Sequence, residues 1–223
     1  MTSSAWFTGL LRGNPELYRR IYDWNLYPHR WAPPARVAAV PGLDPALIRL
    51  LERTPRGRER LGRHFRSALG LEATCWDFES PVRRLALLSA EALARLASFA
   101  GAIQHWMSLS RAVSQRDHQA VIARVGADAR TYALRHGRTV LARAALPPLN
   151  DTGPMDWDRL LPTGWGVLQA GLSGEPPAVR LRLRLQLPDG LPAVDPIPSH
   201  GASALLQALL PEALSAKDRP CFA

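Results

Sequence analysis

The chain has 223 residues, a mass of 24.5 kDa, a net charge of +9 and a pI of about 10.8. That length suits one large domain, or one domain with a small appendage, with a substantial core. No run of about 18 apolar residues occurs, which excludes a hydrophobic membrane-spanning helix, and Met1–Phe7 lacks the basic and apolar regions of a secretory signal.

Residues 1–13 are expected to be loose, with Trp6 and Phe7 docking on the body. Asn14-Pro15-Glu16 is a helix start: an Asn cap, Pro at the first helical position, Glu in the first turn. That helix carries Leu17, Tyr18, Ile21, Tyr22 and Trp24 and ends near Asn25. Three prolines between 28 and 34 then forbid helix. Trp24, Tyr27 and Trp31 form an aromatic, proline-rich hook there. Asp44-Pro45 and Thr54-Pro55 start helices over about 45–53 and 55–69, with Gly70 as the stop. The second bears Arg56, Arg58, Arg60, Arg63 and Arg66 outside an inward Leu61, Phe65, Leu69 stripe. A solvated face and an anion-binding face compete for these arginines, and the solvated one is favoured.

Residues 80–146 are the core array of short helices. Ser80-Pro81 opens it, and Leu85, Leu88, Ala92, Leu96, Phe99 and Ile103 make one helical face. Ser114 to Asp117 resembles a capping box with Asp in place of Glu. Gly126 breaks the helix that follows, and the next runs from Asp128 to a stop near His136-Gly137. Pro147-Pro148 ends the array, residues 147–157 are a linker, and 158–214 read as helix, strand, helix. The strand is inferred from strict alternation over Val179–Leu187, with Arg180, Arg182 and Arg184 on one face. Asp189-Gly190 is a hairpin-type turn, and residues 191–197 would be its edge-strand mate. The expected fold class is therefore mainly α: a compact multi-helix domain with a small C-terminal β-hairpin or strand pair.

Catalytic constellations are absent from the pattern. The six histidines form no HxxxH or HExxH pair, and no GxSxG elbow occurs. His105 and His118 read as packed, hydrogen-bonded side chains. Gly164-Trp165-Gly166 fits neither the dinucleotide nor the P-loop spacing. Cys75 and Cys221 suggest neither a disulfide framework nor a metal knuckle, so a reducing cytoplasm and no cofactor are expected. All basic residues except Lys217 are arginine and they are spread along the chain, which favours compositional bias over an anionic partner as the source of the charge. Exposed aromatics and arginines are features of docking proteins.

Tyr22-Asp23-Trp24-Asn25-Leu26-Tyr27-Pro28-His29-Arg30-Trp31 resembles the N-terminal F-N-x-x-P-x-x-[YW] signature of the YscK/SctK-type proteins of bacterial type III secretion systems. Trp24 and Trp31 stand where other aromatics often sit, so the fit is one of residue type. Pro81 to Leu88 resembles their R-x-A-L-L helix start. Val121 to Gly126 and Tyr132 to Arg135 are similar to the two short helices that follow. Gly164-Trp165 and the Arg180–Leu187 segment are similar to the C-terminal half. The resemblance implies a non-enzymatic adaptor of the injectisome's cytoplasmic sorting platform. It would link an SctQ-like pod protein to the cytoplasmic domain of an SctD-like ring protein, peripherally at the inner membrane, with no small-molecule substrate. Trp24, Tyr27, His29, Arg30, Trp31, Arg180, Arg182 and Arg184 are the residues proposed to meet partners. The alternative is a basic, nucleic-acid-binding helical protein, which lacks helix-turn-helix spacing or an aromatic RNA-binding motif.

Overall fold

Prolines and capping side chains set where the helices begin. The computed structural model describes residues 3–149, 156–188, 190–191 and 197–222. Thirteen α-helices and no strand occur among the described residues. The first six are α1 (Ser3–Gly13), α2 (Pro15–Leu26), α3 (Pro34–Ala38), α4 (Pro45–Glu52), α5 (Pro55–Ala68) and α6 (Pro81–Arg84). The array continues with α7 (Ala90–Gln104), α8 (Trp106–Arg111), α9 (Gln115–Val125) and α10 (Ala127–Arg143). It ends with α11 (Leu160–Gly171), α12 (Pro177–Gln186) and α13 (Ser199–Ala213). The caps act as their residue types dictate. The Asn14 side chain accepts from Leu17 N, Asp44 from Ala46 N and Leu47 N, and Thr54 from Gly57 N. Ser114 accepts from Asp117 N and donates to the Asp117 carboxylate at 2.6 Å.

Residues 179–187 are not a strand. Residues 179–186 lie in α12, with Leu187 as its C-cap, and the buried positions Val179, Arg182, Leu183 and Gln186 fall at i, i+3, i+4 and i+7. Leu and Arg form helices better than strands, and Pro177 at the first position starts one. The alternation places Leu181 on the aliphatic face with Val179 and Leu183, whereas the helix leaves it 40% exposed. The proposed mate lies mostly outside the described residues, at 192–196. Residues 3–13 are helical rather than loose, and Phe7 stacks on Tyr18 at 4.6 Å and lies 5.0 Å from Trp76. α10 runs through His136-Gly137 to Arg143. Gly137 serves packing there: a Cβ would stand 2.5 Å from Trp106 Cβ. His105 is buried and bonded to Thr163 at 3.1 Å, whereas His118 is exposed.

Contacts gather the chain into two compact units, each built from separate segments. Unit one holds residues 1–90, 175–187 and 220–223. One cluster there joins Leu17, Ile21 and Trp24 of α2 to Phe78, Leu87 and Val179. Another joins Val37, Val40, Leu61, Phe65 and Leu71. Unit two holds residues 91–174 and 188–219. In it α7 and α11 cross in backbone contact at two glycines. A Cβ on Gly101 would lie 1.9 Å from Leu160 O, and one on Gly164 1.8 Å from Ala97 O. The Gly164-Trp165-Gly166 motif is thus a helix crossing.

Candidate docking surface

α2 stops where Tyr27 N bonds back to Asp23 O at 2.7 Å, and Pro28–Arg30 makes a single tight turn. Trp24, still on the helix, is wholly buried and meets Phe78 edge to face at 5.2 Å. Its ring also carries the Arg182 guanidinium, 5.0 Å from the centroid. The hook and α12 are therefore brought together, but through the interior.

Arg182 is 2% exposed, and among the described residues every hydrogen bond of its side chain goes to a backbone carbonyl. Nη1 donates to Ala73 O at 2.6 Å and Ala178 O at 3.3 Å, and Nη2 to Leu71 O at 2.8 Å and Asn25 O at 3.5 Å. Burial, with the Arg66 charge second, lowers its pKa to about 10, so it is protonated at neutral pH. Asn25 completes the web: its amide donates to Ile21 O and Cys75 O, and its oxygen accepts from Cys75 N. These bonds give the irregular segment 71–75 partners for carbonyls and an amide that no helix supplies. The sequence marked neither Asn25 nor the inward turn of Arg182, which depends on partners more than 100 residues away.

Past the turn, His29 is buried and its Nε2 lies 2.7 Å from Glu52 Oε1. Arg30 Nη2 donates to Glu52 Oε2 at 2.5 Å, and the guanidinium lies 5.4 Å from the Tyr27 ring centroid. The Arg30 hydrogen bond holds the Glu52 carboxyl down at about 2, against the opposing effect of burial. Burial pushes the His29 imidazole below its ordinary value of 6.5 despite the Glu52 contact. Both folded pKa values are depressed, so both groups stabilise the fold at high pH. The His29 contribution is lost as pH falls below about 6.5, and the Glu52 contribution as pH falls from the ordinary 4.5 toward about 2. In Glu52→Gln the low-pH limb of the unfolding free energy against pH, taken from urea melts, should shrink by about 1 kcal/mol at most because the pair is partly solvated. Superimposable curves would contradict this.

What remains accessible is a smaller set. Tyr27 and Trp31 are half-buried, and Arg30, Arg180 and Arg184 are exposed. Arg36 donates to the Arg184 carbonyl, leaving the Arg184 side chain outside. Trp31, Arg30, Asp23, Pro33, Pro34 and Ala90 are among the residues that line a groove of about 510 Å³. A mostly apolar lining with the Arg30–Asp23 pair, 3.9 Å apart, suits a peptide or protein segment. Among the described residues no group of three His, Cys, Asp or Glu is placed to hold a metal, and no helix is long and apolar enough to cross a membrane.

Residues 27–222 match the sequence model of the family described as YOP proteins translocation protein K (YscK). The chain is also similar to Nodulation protein NolU of Rhizobium fredii and of Sinorhizobium fredii (strain NBRC 101917 / NGR234). Each is 38% identical over 117 residues, which are 52% of this chain and 53% of the relative. The chain thus aligns with about half the length of these curated relatives. No solved structure matches it.

Proposed function

The chain belongs to the YscK family and is a type III secretion component, and from that premise we propose that it is a non-enzymatic adaptor of the cytoplasmic sorting platform. It links an SctQ-like pod protein to the cytoplasmic domain of an SctD-like inner-membrane ring protein. It acts peripherally, on the cytoplasmic side. The observation that carries this reading is the family match, which runs through both compact units.

The outer part of the hook supports it. Tyr27, Arg30 and Trp31 offer a rigid aromatic and a guanidinium fixed by Glu52, beside a groove. Such residues dominate protein interfaces. Arg180 and Arg184 supply a second exposed basic edge. Trp24, His29 and Arg182 take part by holding these groups in place from inside. The test is binding of the purified chain to the pod protein and to the ring protein's cytoplasmic domain from the same gene cluster. Both should bind, and Trp31→Ala, folded by circular dichroism, should lose about tenfold in affinity for one of them. Binding to neither would overturn the adaptor reading. Unaltered affinities in Trp31→Ala would remove the groove from it.

A further inference from the structure

α4 is an eight-residue helix in which no residue is buried. Ile48 and Leu51 pack inward against the cluster around Leu61 and Phe65. Leu50 points away, 60% exposed, with half-exposed Leu47 beside it. Arg49 and Arg53 flank Leu50 at one residue before and three after. Across the Thr54 turn, Arg56 and Arg60 lie four apart on the outer side of α5. A Cβ at Gly57 would lie 2.1 Å from Leu51 O, so the two helices approach backbone to backbone at this turn. Two other arginines of α5 are occupied: Arg63 pairs with Glu59 at 2.9 Å and Arg66 donates to Leu26 O at 2.6 Å. Arg49, Arg53, Arg56 and Arg60 are exposed and make no ion pair or hydrogen bond among the described residues. Four exposed arginines thus stand on the two helices that meet at this turn, one of which carries an uncovered leucine.

We propose that the outer face of α4 and the start of α5 is a second docking surface, and that its occupant is a partner-protein face with an apolar centre ringed by carboxylates. The proposal rests on the adaptor reading and names the chemistry of one of its contacts. Charge complementarity sets the sign of the partner. Leu50 sets its class: an interface core is depleted in charge and apolar, with a charged rim, and arginine is enriched there. A phosphate backbone would use the arginines and gain nothing from Leu50. A bilayer surface would favour larger apolar and aromatic side chains than one leucine and its half-exposed neighbour.

The test compares the full chain with Leu50→Ser and with the double variant Arg53→Glu/Arg56→Glu. Each is measured against the pod protein, the ring protein's cytoplasmic domain, a 30-base-pair DNA duplex, and phosphatidylcholine vesicles containing phosphatidylglycerol. All substituted positions are on the surface, so circular dichroism should be unchanged. Leu50→Ser should weaken binding of one protein partner about tenfold. The charge reversal should weaken the same partner about a hundredfold at low salt, less at high salt. Partner affinities within twofold in both variants would overturn this surface and leave the adaptor reading standing. Binding of DNA or vesicles in preference to either protein, sensitive to the arginines and indifferent to Leu50, would overturn the stated occupant. Failure of the unaltered chain to bind either protein would overturn the adaptor reading and this inference with it.

Discussion

Arg182→Ala is expected to lower the free energy of unfolding by about 2–4 kcal/mol, because it leaves buried carbonyl acceptors without a donor. The side chain is 2% exposed, and its removal strips a donor from the Leu71 and Ala73 carbonyls and the cation from the Trp24 face. Each carbonyl left dry costs about 1–3 kcal/mol. Arg182→Lys keeps the charge but cannot fork between Leu71 and Ala73, so it should recover only part of the loss. Urea unfolding reads the effect. The chain passes between its two compact units four times, so we propose that they unfold as one domain, in one transition. A loss below about 0.5 kcal/mol in Arg182→Ala, typical of a surface site, would contradict the structural role assigned here. Two separated transitions would contradict the single domain.

Gly164→Ala should cost about 2–3 kcal/mol by overpacking. The added methyl would stand 1.8 Å from Ala97 O and 2.6 Å from Ala97 C, and both atoms are backbone and cannot swing aside. α7 and α11 would have to separate. Gly101→Ala makes the reciprocal intrusion against Leu160 O at 1.9 Å. Once one methyl has parted the helices, the second should cost less, so the double variant should fall short of the sum. Thermal or urea melts of the three variants measure this. An unchanged midpoint in Gly164→Ala would show that the crossing is looser than described. Full additivity would show that the two positions do not share a contact.

Helix starts were legible because a cap is local chemistry. Asn14-Pro15, Asp44-Pro45, Thr54-Pro55 and Ser114 to Asp117 each carry their hydrogen-bond partner within three residues. α12 was misread because its leucines and arginines satisfy two periods at once. The helical subset Val179, Arg182, Leu183, Gln186 includes two polar side chains, which a binary pattern assigns to solvent. Their burial answers distant carbonyls: Leu71 and Ala73 for Arg182, and Ala86 for Gln186. Nothing near residue 182 announces those. The hook was visible as an aromatic cluster, yet its division into an inner Trp24 and an outer Tyr27 and Trp31 required the path of segment 71–78. Glu52 gave no warning either, because its partners His29 and Arg30 lie over 20 residues away. Stops inside helices were the weakest inference: Gly137 looked like a terminus and is instead a seat for Trp106.

The bridging role itself is tested most directly by light scattering on three purified components: this chain, the pod protein and the cytoplasmic domain of the ring protein. The adaptor reading predicts that pod and ring proteins elute apart when mixed alone and co-elute, at the mass of a ternary complex, when this chain is added. Co-elution of pod and ring without it, or displacement of one partner by the other on its addition, would contradict the account.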